Sequence, residues 1–361
     1  MKKYLLPKEG HFYKANLHSH STVSDGRLTP EEMKELYKSL GYSIIAYTDH
    51  NRLVGHVDLN DESFLALHGY EMDIQPGHEL CVQTGGKADL FHSTACHFCL
   101  IALEQDNLSQ VPWYTADGQP IPKGDPVLKP EYTPECISET MRQGREHGFF
   151  VTYNHPTWSG ESYEQYMNYH HMHAMEICNY ISVVEGNEEY NPRIFDDMLR
   201  GGKKVYCIGA DDNHNIFGDD PDQRDYGGAW TMIKAENLDY RTITKAMEAG
   251  NFYASQGPEI HELWVEDGCI HVTTSEAASI RFIFGDRRFS SARAKRGETV
   301  NSASAQLYPY AGYVRVTVED HRGHFANSNA YEIKDLLEPE DYEREQKPVI
   351  RSIPHHYLNL R

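Results

Sequence analysis

The sequence lacks any long apolar run: no stretch approaches the ~18 to 20 residues of a membrane-spanning helix. Its opening, Met1-Lys2-Lys3-Tyr4-Leu5-Leu6-Pro7, breaks off well short of the ~7 to 15 apolar residues of a secretory leader, so a cytoplasmic chain is expected. Positive charge is scarce as well. Lys and Arg number 34 against 54 Asp and Glu, a formal net charge of −20. Such a surface repels phosphate backbones and anionic lipid, which disfavours nucleic acid and membranes as partners and leaves a small molecule. Seven cysteines, an odd number spread over 361 residues, make no disulfide framework. The pair Cys96-x-x-Cys99 has no second pair to complete a zinc site, and residues three apart on a strand face opposite ways. There is no G-x-S-x-G, and Gly85-Gly86-Lys87 lacks the rest of a phosphate-binding loop.

What is abundant is histidine: 21 residues, 15 of them before residue 215. Up to about residue 255, short apolar strands alternate with amphipathic helices, the pattern of a parallel α/β architecture. Thr29-Pro30-Glu31-Glu32 supplies an N-cap, a proline at N1 and a capping-box glutamate, and Met33, Leu36, Tyr37 and Leu40 follow at helical spacing until Gly41. Further helices are expected to start at Thr133-Pro134 and Asn191-Pro192, each followed by a strand, 149–153 and 205–210. After Gln256-Gly257-Pro258 helical periodicity disappears. Asp267-Gly268 between two short apolar runs is a hairpin signal, and Val314, Val316 and Val318 alternate. The expected organisation is an α/β unit over 1–255, a small all-β, sandwich-like domain over 256–335, and a polar tail over 336–361.

Metal-type side chains fall at strand ends. His18-Ser19-His20, with Asp25 just beyond, ends the first strand; Thr48-Asp49-His50-Asn51 ends the second; Glu71 ends the third, 64–70. Asn154-His155-Pro156 and Asp211-Asp212-Asn213-His214 follow two more. In a closed parallel barrel these positions share the C-terminal rim, where active sites are built. Imidazole mixed with carboxylate suits Zn, Mn or Fe, and more than four ligands imply two or three divalent ions with a bridging carboxylate. A water between two such ions loses its proton near neutral pH and serves as the nucleophile.

His18-x-His20, Ser24-Asp25-Gly26, Thr48-Asp49-His50-Asn51, Gly69-Tyr70-Glu71, His97 before an apolar strand, Asn154-His155-Pro156 and a terminal Asp-x-His together resemble the PHP (polymerase and histidinol phosphatase) superfamily over about residues 10–255. The region 228–258, with a β domain behind it, resembles the carbaryl-hydrolase-like branch. The resemblance implies a distorted (β/α)7 barrel and phosphoesterase activity. It also implies one ion on His18, His20 and Asp212, a second on His97 and His155 with Glu71 bridging, and a third on Asp25, His50 and His214. Glu71, Asp212 and His214 are the expected catalytic residues.

His97 rests on the resemblance alone, and His78, Glu79 or His92 could replace it. If the chain leaves the strand extended, Asp212 and His214 share a face and Asp211 points away; a turn at Asp212-Asn213 would bring Asp211 inward instead. Arg27, Arg193 and Arg224 are candidates for a phosphate clamp, although ordinary surface arginine is the commoner role. Asn154, Glu176 and Asn179 are expected to line the pocket, unless Glu176 orients a ligand histidine. His170-His171-x-His173 reads as a solvated cluster. The leading function is a metal-dependent hydrolase of a small phosphomonoester or phosphodiester. Amide, ester or carbamate hydrolysis at the same centre, or non-catalytic binding, are the alternatives.

Overall fold

The computed structural model describes residues 2–76, 94–110, 131–221, 223–338 and 340. His78, Glu79, His92, Gly85-Gly86-Lys87 and most of the 336–361 tail lie outside the described residues. The helix Pro30–Ser39 begins as its sequence dictates: Glu32 N donates to Thr29 Oγ1 at 3.2 Å while Thr29 N donates to Glu32 Oε2 at 2.9 Å. Met33 and Tyr37 bury its inner face. The helices Pro134–Glu146 and Pro192–Arg200 also start where expected, and a further helix spans Tyr240–Glu248.

Eighteen strands are described: β1 (Lys3–Tyr4), β2 (His11–Asn16), β3 (Ile44–Tyr47), β4 (Leu65–Ile74), β5 (Cys96–Ala102), β6 (Phe149–Tyr153), β7 (Ala174–Asn179), β8 (Tyr206–Ala210), β9 (Trp230–Ala235), β10 (Phe252–Ser255), β11 (Ile260–Glu266), β12 (Cys269–Ala277), β13 (Ser279–Phe284), β14 (Phe289–Arg293), β15 (Val300–Gln306), β16 (Tyr313–Glu319), β17 (Phe325–Ser328) and β18 (Tyr331–Glu332). The large sheet runs β14-β13-β16-β17-β10-β9-β2-β3-β4-β5-β6-β7-β8, with β18 on β16; a second sheet runs β1-β11-β12-β15. The protein is thus a mixed α/β fold with an all-β region.

The expectation of a wholly parallel architecture needs correction. β2, β3 and β4 pair in parallel, as do β6, β7 and β8. β5, however, is antiparallel to both β4 and β6, and β9 is antiparallel to β2. An antiparallel neighbour needs no crossover helix. Past β8 the chain returns to β2: Asp212 N donates to His18 O and His20 N to Asn213 O, both at 3.0 Å. Ala15, Ile44, Leu67, Ile101, Phe150, Ala174 and Ile208, one from each of β2 to β8, share a buried cluster with Ile243 and Met247. That apolar layer lies beneath the rim and keeps the strand ends in register with one another.

In the all-β region Asp267 and Gly268 both take positive φ, 50° and 74°, the type I′ turn that matches strand twist. Val314, Val316 and Val318 pair across to Phe284, Phe282 and Ile280, and these side chains meet Leu263, Val265 and Val272 of the second sheet in one core. Two observations cross the expected 255/256 boundary. β10 pairs with β17, and Tyr4 of β1 pairs with Trp264 of β11, so the first residues join the all-β region. Among the described residues no helix is long and apolar enough to cross a membrane.

Candidate metal centre

His18 and His20 follow β2 on an extended backbone pinned between them: Ser19 N donates to Thr48 Oγ1 at 2.9 Å and Ser19 Oγ to Ala46 O at 2.8 Å. Residues two apart then face one way, and the two Nε2 atoms lie 3.1 Å apart. The next turn presents Asp25. Asp49 Oδ1 holds it by accepting from Ser21 N (2.8 Å), Ser24 N (3.1 Å) and Ser24 Oγ (2.9 Å). Gly26 packs so tightly that an added Cβ would lie 2.2 Å from His20 O. Asp25 Oδ1 comes within 3.4 Å of His214 Nε2 and 3.7 Å of His20 Nδ1, and Oδ2 within 3.6 Å of His50 Nε2.

Glu71 was expected at a strand end, but β4 continues to Ile74, so Glu71 stands inside the strand with its carboxylate at the centre of the cluster. Its Oε1 is 3.2 Å from both His18 Nε2 and His97 Nδ1 and 3.3 Å from His155 Nε2. Its Oε2 is 3.1 Å from His50 Nδ1 and 3.3 Å from His20 Nε2. His97 is the second residue of β5; because that strand runs backwards, its beginning lies where its neighbours' far ends lie. His155 takes φ 23°, and its Nδ1 meets Ser159 Oγ at 3.1 Å.

The chain does not leave β8 extended: Asp212 sits in the left-handed region at φ 53°. The turn brings Asp212 inward all the same, with Oδ1 3.0 Å from His20 Nε2 and 3.1 Å from His18 Nε2. Asp211 instead accepts backbone N–H groups from Gly227, Gly228 and Ala229 at 2.7, 2.9 and 3.0 Å, together with the Tyr37 hydroxyl at 3.0 Å. His214 stacks on His20 at 4.2 Å, and its Nδ1 lies 3.0 Å from Asp212 O, which leaves Nε2 facing Asp25.

All nine residues therefore meet, in three overlapping groups: His18, His20, Glu71 and Asp212; Glu71, His97 and His155; and His20, Asp25, His50 and His214. Within each, the donor atoms lie within 4.8 Å of one another. Burial works against charge here, yet the Asp212 and Glu71 carboxylates push His20 up to about 9, and Glu71 and Asp73 push His97 up to about 10. Burial and the neighbouring His20 drive His50 down to about 4. Glu71 is held well below the usual carboxylate range: burial opposes ionisation, but His18, His97 and His50 outweigh it. The donor set fits divalent cations. Glu71 Oε2, Asp212 Oδ1 and His50 Nδ1 are buried without a hydrogen-bond partner, a costly state that a shared cation would relieve.

Asn154, Glu176 and Asn179, the candidates for lining the pocket, touch the side chains of the cluster from behind, Glu176 in the orienting place given as its alternative. Glu176 Oε1 is 2.8 Å from His18 Nδ1, and its Oε2 accepts from His155 N and Asn179 Nδ2, both at 2.9 Å. Asn154 Nδ2 donates to Glu71 Oε1 at 2.9 Å, and Asn179 Nδ2 to Asp212 Oδ2 at 3.1 Å. All three are fully buried. Two of the clamp arginines are engaged elsewhere: Arg193 pairs with Asp197 on its own helix at 2.9 Å, and Arg224 covers the Tyr226 ring. Arg27 is exposed beside His214, its N donating to His214 O at 2.9 Å. His173 stacks on Phe150 at 4.7 Å while its Nδ1 accepts from Val151 N.

Sequence reasoning missed several supports. Asp73 lies 3.2 Å from His97 Nε2; it shares a strand face with Glu71 two residues earlier, a spacing that could have revealed it. Asp225 accepts from His214 N at 2.9 Å. Trp158, 43% exposed, stands with its ring 4.9 Å from His155 and 5.4 Å from His97; no local pattern announces either of these.

Residues 16–211 match the PHP domain family. Among solved structures, the chain is similar to a two-domain protein from Bacteroides vulgatus described as containing a predicted PHP-like metal-dependent phosphoesterase, at 15% identity and a TM-score of 0.44, over 91% of this chain and 97% of that one. It is also similar to a proposed metal-dependent phosphoesterase from Bifidobacterium adolescentis, at 16% identity and a TM-score of 0.39, over 68% of this chain and 98% of that one. No curated protein matches it.

Proposed function

The chain belongs to the PHP family and is a hydrolase, and from that premise we propose that it cleaves a small phosphorylated substrate, a phosphomonoester or phosphodiester, at a centre of two or three divalent ions. The observation that carries this reading is Glu71, whose two oxygens face different sets of imidazoles, His18, His97 and His155 on one side and His20 and His50 on the other. His18, His20 and Asp212 would hold one ion and His97 and His155 a second, with Glu71 between them; Asp25, His50 and His214 would hold a third. Manganese, iron or zinc suits these donors. Such ions supply Lewis acidity, neutralising phosphoryl oxygens and lowering the pKa of water toward neutrality.

The protein's own contribution is orientation. Glu176 fixes the His18 ring by its Nδ1, Asn154 turns Glu71, and Asp49 holds the turn that presents Asp25. Such outer contacts keep each ligand in a single pose. Arg27 is the arginine of the three that stands on the rim, exposed and held only by Nη1 donating to Ile216 O at 3.4 Å, and it is the one placed to meet a phosphate. We further place the centre on a distorted (β/α)7 barrel of the carbaryl-hydrolase-like branch, with the all-β domain beginning near residue 256. The scarcity of arginine at the rim favours a second reading, in which a neutral amide, ester or carbamate is the substrate.

Metal analysis of the purified protein, combined with a screen of nitrophenyl phosphate, bis-nitrophenyl phosphate and nitrophenyl esters, separates these readings. At least two ions per chain and turnover confined to the phosphates are expected. Turnover of esters alone would replace the phosphoesterase reading with the second, and fewer than one ion per chain after reconstitution would remove both.

A further inference from the structure

The segment Glu189-Tyr190-Asn191 runs between β7 and the all-β region. Tyr190 forms an antiparallel bridge with Cys178, and Asn191 N donates to Ile177 O at 2.7 Å, so the segment lies against β7 as a short extended piece. Alternate side chains of an extended piece face opposite ways, and here they reach different halves of the molecule. Glu189, fully buried, accepts from Trp158 N at 2.6 Å and Thr157 N at 3.3 Å. Asn191 Oδ1 accepts from Thr157 Oγ1 at 2.8 Å. Tyr190 turns the other way: its ring stacks on Phe325 of β17 at 4.5 Å with 6° between planes, and its hydroxyl accepts from Asn327 Nδ2 at 3.1 Å. Asn327 is itself fixed, its Oδ1 accepting from Thr317 Oγ1 at 2.8 Å and Arg315 Nη1 at 3.3 Å.

The loop 155–160 gripped by Glu189 carries both a ligand histidine and an exposed aromatic. Trp158 is tied twice, by its backbone N to Glu189 and by its indole N–H to Glu185 at 3.0 Å. The loop is turned on itself by Ser159 N to His155 O at 3.0 Å and Glu161 N to Pro156 O at 3.1 Å, and Glu189 adds the tie toward the all-β region, a carboxylate accepting two backbone N–H groups being a strong restraint. We infer that Glu189 and Tyr190 are positioning residues, a strap by which the all-β region fixes the 155–160 loop and holds Trp158 at the edge of the metal centre. The second region is then part of the active-site architecture rather than an appendage.

The test is amide hydrogen exchange of the full-length protein, followed over the peptide spanning 156–161. Glu189→Gln and Tyr190→Ala are expected to raise exchange there about tenfold or more, since each removes a buried restraint. Tyr190→Phe, which keeps the stack and loses only the hydroxyl, should raise it about two- to threefold. Protection of β6 and β16 should stay level in all three. Loop exchange unchanged in Glu189→Gln, or loosening spread equally over β6 and β16, overturns the inference. Should Tyr190→Ala fail to fold, Phe325→Ala removes the stacked ring from the far side and must loosen the loop. A kinetic arm rests on the phosphoesterase reading: KM for nitrophenyl phosphate should rise several-fold at unchanged metal content and nearly unchanged kcat, whereas a general structural defect would lower kcat and metal content together. If the unsubstituted protein leaves nitrophenyl phosphate intact, that reading fails while the exchange result still decides the strap.

Discussion

Arg315, at the junction with the all-β region, and Glu71, on the rim, are each about 1% exposed, yet their surroundings treat them differently. Arg315 donates from Nε and Nη2 to both oxygens of Asp196, at 2.8 and 2.9 Å, and from Nη1 to Thr317 and Asn327. Asp196 also accepts from the Tyr313 hydroxyl at 2.8 Å. On the rim, buried oxygens of Glu71 and Asp212 face imidazoles without making a hydrogen bond. A buried charge closed by protein partners is part of the scaffold. One left open by its partners' geometry marks where something else completes the set.

The comparison breaks most visibly under alanine substitution. His18→Ala and His155→Ala should lose nearly all turnover yet cost less unfolding free energy than Arg315→Ala, because Glu71 and Asp212 keep other imidazoles beside them. Arg315→Ala should cost ~3 to 5 kcal/mol, since it strands a buried Asp196, and should leave metal content unchanged in the protein that still folds. Urea titration beside a turnover assay gives both answers, and an unfolded His155→Ala would erase the distinction.

Smaller effects sharpen it. Glu176→Gln should weaken metal binding by roughly 10- to 100-fold by releasing the His18 ring, read by competition with a chelator. Asp212→Asn should lose an ion, whereas Asp211→Asn should keep the full complement and lose ~1 to 3 kcal/mol because its backbone donors are left poorly satisfied. Equal metal content in the two would show that Asp212 holds no ion.

Lys14 is an intermediate case, its ammonium lying 3.9 Å from the Trp230 ring centroid and 4.0 Å from that of Tyr42. Burial drives it from 10.5 down to about 8, against the pull of Asp211 and with a push from Arg224. Between those values the unfolded chain binds the proton and the folded chain does not, so folding stability gains as pH rises from about 8 to 10.5. The parent protein should therefore gain on Lys14→Met across that window, and parallel denaturation curves that keep a constant gap would contradict the assignment.

Much of this was legible in the sequence because strand ends and helix caps are local features. Thr29 and Glu32 declared a capping box, and His18 and His20 declared a shared face. His97 was invisible to a strand-end argument because β5 runs antiparallel, and direction is a property of pairing rather than of the strand's own residues. Glu71 was placed at an end because nothing in Met72-Asp73-Ile74 says where the ladder stops. Phe289–Arg293 and Val300–Gln306 pair at the edges with few apolar side chains, so no alternation betrayed them. The helices Tyr163–Asn168 and Tyr180–Val184 are too short to establish a period. Glu189 and Trp158 acquire their roles only from neighbours far along the chain.

The pairing of Tyr4 with Trp264, and of β2 with β9 through His11 and Ala235, also sets a timetable for synthesis. At about 5 to 20 residues per second, a ribosome reaches residue 264 on the order of ten to fifty seconds after residue 4. Through that interval β1 has no neighbour. β2, which leads into His18 and His20, gains its second neighbour only once residues 231–235 have emerged. The cluster cannot close before then, so any capture of a divalent metal falls late in synthesis or after release, and the half-made chain exposes imidazoles and strand edges to whatever protects nascent proteins.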